Sequence, residues 1–332
     1  MKRANKHPFL GFTVFAFLLL SAPFHVARAG SACHYIEQAD LAIVPPGRSK
    51  FPTVDGEING QPVKLAIDTG AYATFMMRSE ADRQSLHPVR TRSQVQGVGG
   101  NASIFTVNIK DIAIGGAHAK NMRFPVLESL EDTGVAGIIG VDFLLQYDVE
   151  LNLAEHRVKL FRADHCQDKA LAYWDSDALT VPMEFMADSS RPRVQVKING
   201  VPVWALIDTG AFRSVVDLDT VRKLGLSIDA PGVVTGGKAG GIGSGKRKLW
   251  HMTFDSFAIG DEVVQHPRIA IMDDAENYRG RKQHGMILGR DFLASHRVLL
   301  AQSQMLMYYS YKGGQVFLKD EIDAINLPRA AP

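Results

Sequence analysis

One stretch of fourteen residues occurs twice in this chain, so any fold it adopts must house two copies of one unit. Ile58-Asn59-Gly60-Gln61-Pro62-Val63-Lys64-Leu65-Ala66-Ile67-Asp68-Thr69-Gly70-Ala71 matches Ile198-Asn199-Gly200-Val201-Pro202-Val203-Trp204-Ala205-Leu206-Ile207-Asp208-Thr209-Gly210-Ala211 at a constant offset of 140, and ten of the fourteen positions are identical. The correspondence continues through glycine-rich segments at 97–100 and 236–245. It ends at Gly137-Ile138-Ile139-Gly140-Val141-Asp142-Phe143-Leu144 and Gly285-Met286-Ile287-Leu288-Gly289-Arg290-Asp291-Phe292-Leu293. Three landmarks in one order imply a duplicated unit of roughly 110 to 130 residues, enough for a small domain.

Within each unit the local signals are those of strands. Residues 52–58 and 193–198 lead into Asn-Gly pairs, which favour a tight hairpin turn because both central residues tolerate positive φ. The return strands, 62–67 and 202–207, end at Asp-Thr-Gly. Further strands are expected at 105–109, 149–153 and 158–161, with counterparts at 250–254, 298–300 and 305–309. Short helices are expected only near 79–85, near 220–224 and after each Ile/Leu-Gly. A fold that is mostly β follows. The connecting segment 163–191 has a charged start and ends in Ser189-Ser190-Arg191-Pro192; its stretch 179–185 reads as an additional strand.

An aspartate at the end of a buried apolar strand is expensive to ionise unless something stabilises its charge. The residues after each aspartate supply means to do so. Thr69 and Thr209 can hydrogen-bond a neighbouring loop, and Gly70 and Gly210 let the backbone turn sharply so that amides face the carboxylate. Two such loops set face to face would bring Asp68 and Asp208 within hydrogen-bond distance, where like charges cannot both ionise comfortably and the pair holds one proton. The ionised partner can then take a proton from water while the protonated one donates to an amide carbonyl, with no metal or covalent intermediate.

These motifs resemble those of the retropepsin-type aspartic proteases: apolar-apolar-Asp-Thr-Gly-Ala at 66–71 and 206–211, and the later apolar pair with glycine at Ile138-Ile139-Gly140 and Ile287-Leu288-Gly289. The resemblance covers almost all of residues 50–310. It implies two retropepsin-like β-barrel domains related by pseudo-twofold symmetry, with few short helices. It further implies that Asp68 and Asp208 are the catalytic dyad, with Thr69 and Thr209 interlocked beneath them. Gly70, Ala71, Gly210 and Ala211 would shape the loops, and Gly140 and Gly289 would pack under them. By the same resemblance Gly97-Val98-Gly99-Gly100 and Gly240-Gly241-Ile242-Gly243 fall where the family places its substrate-covering flaps. Glycine there permits opening and lets the backbone pair with an extended peptide.

Each half is of retroviral size, yet both aspartates lie on one chain, so a single-chain pseudo-dimer is the expected architecture; pairing of each half with its twin in another molecule is the rival. Alanine, not a hydroxyl residue, follows each Asp-Thr-Gly, which predicts an activity optimum milder than strongly acidic. The expected function is an endopeptidase acting on polypeptide substrate as a monomer. A peptide-binding module that keeps the groove without productive dyad geometry is the alternative.

The start of the chain carries Lys2, Arg3 and Lys6, then an apolar stretch, then Ala27-Arg28-Ala29, the form of a signal-peptidase site. Cleavage after Ala29 and export to the periplasm or medium are therefore expected. The uncharged stretch 9–24 falls short of the roughly 20 residues that span a bilayer, so membrane attachment enters only if the segment stays uncleaved. The expected domains are 1–29 signal, 30–162 N-terminal, 163–191 linker, 192–318 C-terminal and 319–332 tail. Cys33 and Cys166 could form one disulfide tying the N-terminus to the linker, or remain free thiols.

Lys plus Arg (37) nearly balances Asp plus Glu (35), leaving a net charge of +2 and no electrostatic argument for a nucleic-acid partner. Gly240 to Lys246 spells a phosphate-binding loop, but Arg247 stands where a Ser or Thr should reach magnesium, so no nucleotide is expected. No metal-ligand spacing involves the histidines, and no metal or other cofactor is expected. Ser295-His296 and Ser189-Ser190 read as surface or linker residues, and the charged run 273–282 as a solvated insertion.

Overall fold

The computed structural model describes residues 32–44, 51–128, 134–273 and 284–317. The expected signal segment, the expected tail and the charged run beyond Asp273 lie outside the described residues. The described chain is mostly β, with 22 strands and four short helices.

After β1 (His34–Ala42), the N-terminal half runs β2 (Thr53–Ile58), β3 (Gln61–Ile67), β4 (Phe75–Met77), α1 (Arg78–Arg83), β5 (Val89–Gly97), β6 (Gly100–Ile114), β7 (Ala117–Leu127), β8 (Gly137–Ile139) and α2 (Val141–Leu144). β9 (Asp148–Asn152) and β10 (Arg157–Asp164) complete it, and β11 (Leu179–Phe185) occupies the connection. The C-terminal half repeats the order as β12 (Pro192–Ile198), β13 (Val201–Ile207), β14 (Val215–Asp217), α3 (Leu218–Lys223), β15 (Val234–Ala239) and β16 (Arg247–Thr253). It continues with β17 (Ser256–Ile259), β18 (Glu262–Gln265), β19 (Arg268–Met272), β20 (Met286–Leu288), α4 (Arg290–Leu293), β21 (His296–Ala301) and β22 (Leu306–Tyr311).

Both Asn-Gly turns have the required handedness, with φ of 54° and 70° at Asn59 and Gly60 and of 50° and 78° at Asn199 and Gly200. They set the hairpins β2–β3 and β12–β13 in equivalent register. In the N-terminal half the strands pair in the order β2-β3-β8-β4-β7-β6-β5, and a second pairing of β2 with β6 closes the barrel. The C-terminal half has the matching order β12-β13-β20-β14-β19-β16-β15, closed by β12 on β17. In place of the single 15-residue strand β6, this half uses two strands, β16 and β17.

The halves are joined by a sheet to which both contribute, in the order β1-β10-β9-β21-β22-β11. Its centre is the antiparallel pair β9–β21, in which Val298 faces Leu151 and Leu300 faces Val149. All four are fully buried and belong to one apolar core reaching from Val54 and Ile58 to Phe292 and Tyr309. Burying each such aliphatic side chain contributes about 1.5–3 kcal/mol, so separating the halves would be costly. The connection is thus more than a tether, because its strand β11 bridges β22 and β12. Cys33 and Cys166 are disulfide-bonded, their Cα atoms 4.6 Å apart, beside the pairing of β1 with β10.

The expected surface position of Ser295-His296 is wrong. Both residues are buried, His296 completely. Its Nδ1 lies 2.8 Å from the Phe292 carbonyl and 3.2 Å from Ser295 Oγ, and its Nε2 lies 3.1 Å from Glu262. A histidine whose two nitrogens both find partners can be buried at little cost, and here the ring stacks on Phe292.

Candidate active site

Strands β3 and β13 each deliver an aspartate to the interface of the halves, and the apolar pair of the later motif runs parallel beside them. Ala66 and Ile67 align with Ile138 and Ile139, and Leu206 and Ile207 with Ile287 and Leu288. Past these pairings, the Asp68 N–H donates to the Ile139 carbonyl at 3.0 Å and the Asp208 N–H to Leu288 at 3.1 Å. Gly140 and Gly289 follow, wedged under the aspartate loops. A Cβ on Gly140 would lie 2.4 Å from the Ala73 carbonyl carbon, and one on Gly289 would lie 2.5 Å from that of Arg213.

Asp68 Oδ1 accepts from the Gly70 and Ala71 amides at 2.9 and 3.0 Å. Asp208 Oδ1 accepts from Gly210 and Ala211 at 2.8 and 3.0 Å. Beneath them the threonines interlock. The Thr69 N–H donates to Thr209 Oγ1 at 3.0 Å and the Thr209 N–H to Thr69 Oγ1 at 3.0 Å. Each hydroxyl in turn donates at 2.8 Å across the interface, Thr69 to the Ile207 carbonyl and Thr209 to that of Ile67. Both threonines are fully buried, so every donor and acceptor in this crossed network is satisfied only if both halves are in place.

The loops come so close that each glycine faces the other half's carboxyl. A Cβ on Gly70 would meet Asp208 Cγ at 2.3 Å, and one on Gly210 would meet Asp68 Cγ at 2.5 Å. The two carboxyl groups hydrogen-bond each other. Burial is the largest influence on both and holds both above the usual carboxylate range. For Asp68 the neighbouring negative charge of Asp208 adds to the rise. For Asp208 the Ala211 amide, the bond to Asp68 and the Arg191 charge work against it. The pair therefore keeps one proton over a range shifted upward from free carboxylates.

A further support escaped sequence reasoning. The Gly140 amide donates to Thr74 Oγ1 at 3.1 Å, and Thr74 donates to Asp142 Oδ1 at 2.6 Å. In the other half the Gly289 amide donates to Ser214 Oγ at 3.0 Å, and Ser214 to Asp291 Oδ1 at 2.6 Å. The available signal was a hydroxyl residue six positions after each dyad aspartate and an aspartate two positions after each glycine. Burial pushes Asp291 up to about 6 despite its bonds from Ser214 and Phe292.

The two glycine-rich segments meet tip to tip. Val98 and Gly99 turn the hairpin β5–β6, and residues 240–246 connect β15 to β16. The Gly99 N–H donates to the Ile242 carbonyl and the Gly245 N–H to the Gly99 carbonyl, both at 2.8 Å. Contact is tight enough that a Cβ on Gly97 would lie 2.5 Å from Ile242 Cβ. Each tip crosses over, Val98 packing on the apolar patch of the C-terminal half and Ile242 on that of the N-terminal half. The Gly-x-x-x-x-Gly-Lys run at 240–246 thus joins two antiparallel strands. Among the described residues no group of three or more His, Cys, Asp or Glu is placed to hold a metal.

Two barrels that face each other across paired Asp-Thr-Gly loops, with crossed threonines beneath, define an acid-protease type of molecule. Comparison with known proteins agrees. Residues 54–146 match the family model described as "gag-polyprotein putative aspartyl protease", and residues 194–292 match the model described as "Aspartyl protease". The chain therefore carries two retropepsin-like aspartyl protease domains in tandem. It is similar to DNA damage-inducible protein 1 of Eremothecium gossypii, 31% identical over 110 residues that make up 32% of this chain and 22% of that protein. It is also similar to the protein of the same name from Phaeosphaeria nodorum, 32% identical over 106 residues, 31% of this chain and 23% of that one. The match thus spans under a quarter of either relative's length.

Proposed function

We propose that this chain is an aspartic endopeptidase in which Asp68 and Asp208 form one intrachain dyad. The observation that carries this reading is the mutual hydrogen bond of two carboxyls whose loops are locked by Thr69 and Thr209. A water held between the carboxyls would lose a proton to whichever of Asp68 and Asp208 is ionised as it attacks the scissile carbonyl, while the protonated partner donates its proton to the carbonyl oxygen. In the next step the amine leaves with a proton returned from the dyad. The tips around Val98 and Ile242 act as flaps: they exclude water when closed and must part for an extended polypeptide to enter. Because one chain supplies both carboxylates, the active species is a monomer.

Export to the periplasm or medium belongs to the same proposal, supported by the Cys33–Cys166 disulfide, a bond that persists in oxidising compartments. Recovery of the protein from cytoplasm with residues 1–29 intact and both thiols reduced would sink it. The catalytic reading is tested by incubating the mature protein with an unfolded substrate beside Asp68→Asn and Asp208→Asn. Each single change is expected to lower cleavage by at least about a thousandfold. Half-activity in both variants would contradict a shared site.

A further inference from the structure

The backbone of the two halves is near-symmetric around the dyad, but the charge is not. Four basic side chains gather at the Asp208 loop. Arg213 lies on that loop, its Nη1 3.2 Å from His251 Nε2 and its Nη2 buried with no hydrogen-bond partner. Arg290 follows Gly289 beneath the loop, its guanidinium 5.1 Å from the ring centre of Phe212. The guanidinium is close enough to feel both Asp68 and Asp208, yet it makes no hydrogen bond with any described residue, and its Nε is buried without a partner. Arg191 enters from the connection and donates from Nη1 to the Gly70 carbonyl at 3.4 Å. Against three guanidinium charges stand the single negative charge of a dyad sharing a proton and Asp291, whose Oδ1 is taken up by Ser214 and Phe292.

The equivalent positions in the N-terminal half carry no charge. Arg191, Arg213 and Arg290 correspond to Phe51, Ala73 and Val141, and the register of β16 on β19 makes His251 the equivalent of Thr106 on β6. Phe51 and Ala73 instead join the apolar patch under Ile242. Buried guanidinium N–H groups without acceptors are costly, and a carboxylate is the acceptor that satisfies them best. We infer that the C-terminal half of the cleft is an anion subsite, which takes a substrate carboxylate on one side of the scissile bond only. This deepens the peptidase reading and rests on it. The carboxylate can come from an Asp or Glu side chain or from the free end of a short peptide.

The test uses end-blocked peptides carrying Glu or Gln at each of about three positions either side of the cleaved bond. A second set ends at those positions as free acid or amide. The mature wild-type protein is expected to prefer Glu over Gln by about tenfold in kcat/KM, on one side only, and Arg213→Gln to reduce this to under about threefold. Preference for the free acid over the amide with no effect of side-chain Glu assigns the subsite to chain ends. Binding of the same peptides to Asp68→Asn, read by fluorescence anisotropy, reports on the groove without cleavage. Glu preference in binding with no cleavage by wild type sinks the peptidase reading and keeps the subsite. Equal handling of Glu and Gln together with equal handling of free acid and amide, preference on both sides, or a preference untouched in Arg213→Gln overturns the subsite itself.

Discussion

At the scale of single residues, what sets this site apart is that three carboxyls stay in play above the usual carboxylate range. For Asp68 and Asp208 the first cause is burial between two loops, so the second proton leaves the pair later than it would leave free carboxylates. The kcat/KM profile is therefore expected to be a bell whose falling limb lies in mildly acidic to neutral pH. A profile confined to strong acid would contradict it. Asp291 makes a separate prediction, on stability. Its folded value of about 6 stands above the 3.8 of a free aspartate, so its contribution is fully present below the unfolded value and is lost as pH rises through 6. Asp291→Asn imitates the protonated form and removes this dependence. Denaturant unfolding from pH 4 to 7 should show the wild type losing on the order of 3 kcal/mol relative to the variant. Parallel stability curves would refute the assignment.

At the scale of elements, the site is a property of loop pairs. Neither Asp-Thr-Gly turn satisfies its own threonine: the Thr69 hydroxyl donates to Ile207, and the Thr209 hydroxyl to Ile67. Thr69→Val would strand the Thr209 N–H and the Ile207 carbonyl in a buried place, at a cost of about 3 kcal/mol. Because the symmetric change breaks the same network, Thr69→Val and Thr209→Val should combine to less than the sum of their separate effects. A double-mutant cycle by chemical denaturation checks this, and strict additivity would show that the hydroxyls act independently. The glycine-rich tips around Val98 and Ile242 are likewise paired elements, since each packs on the half that did not supply it.

At the scale of the whole molecule, the dyad geometry rests on the sheet that joins the halves. β9 and β21 pair at its centre, and the salt bridge from Arg297 to buried Glu150 crosses that seam at 2.8 Å. At one end β1 is held by the disulfide, which closes a sequence separation of 133 residues. Loop-closure entropy puts the stabilisation at up to about 5 kcal/mol. Cys33→Ser with Cys166→Ser should lower the melting temperature and expose 34–42 to protease before the barrels unfold. Unchanged melting would mean that β1 is held by its hydrogen bonds alone.

Much of this was legible in the residues. The constant offset between Asp68 and Asp208 announced two equivalent loops, and the Asn-Gly pairs announced hairpins, because these signals are local and repeat. Strand β11 could be read in 179–185 for the same reason, as could the short helices after Gly140 and Gly289. Other features depended on contacts between distant segments, which local pattern does not encode. The pairing of β9 with β21, the clamp from Thr74 and Ser214 to Asp142 and Asp291, and the burial of His296 arise only when the barrels close. So does the one-sided charge around Asp208: Arg191, Arg213 and Arg290 are spread over 100 residues, and folding alone brings them to one loop.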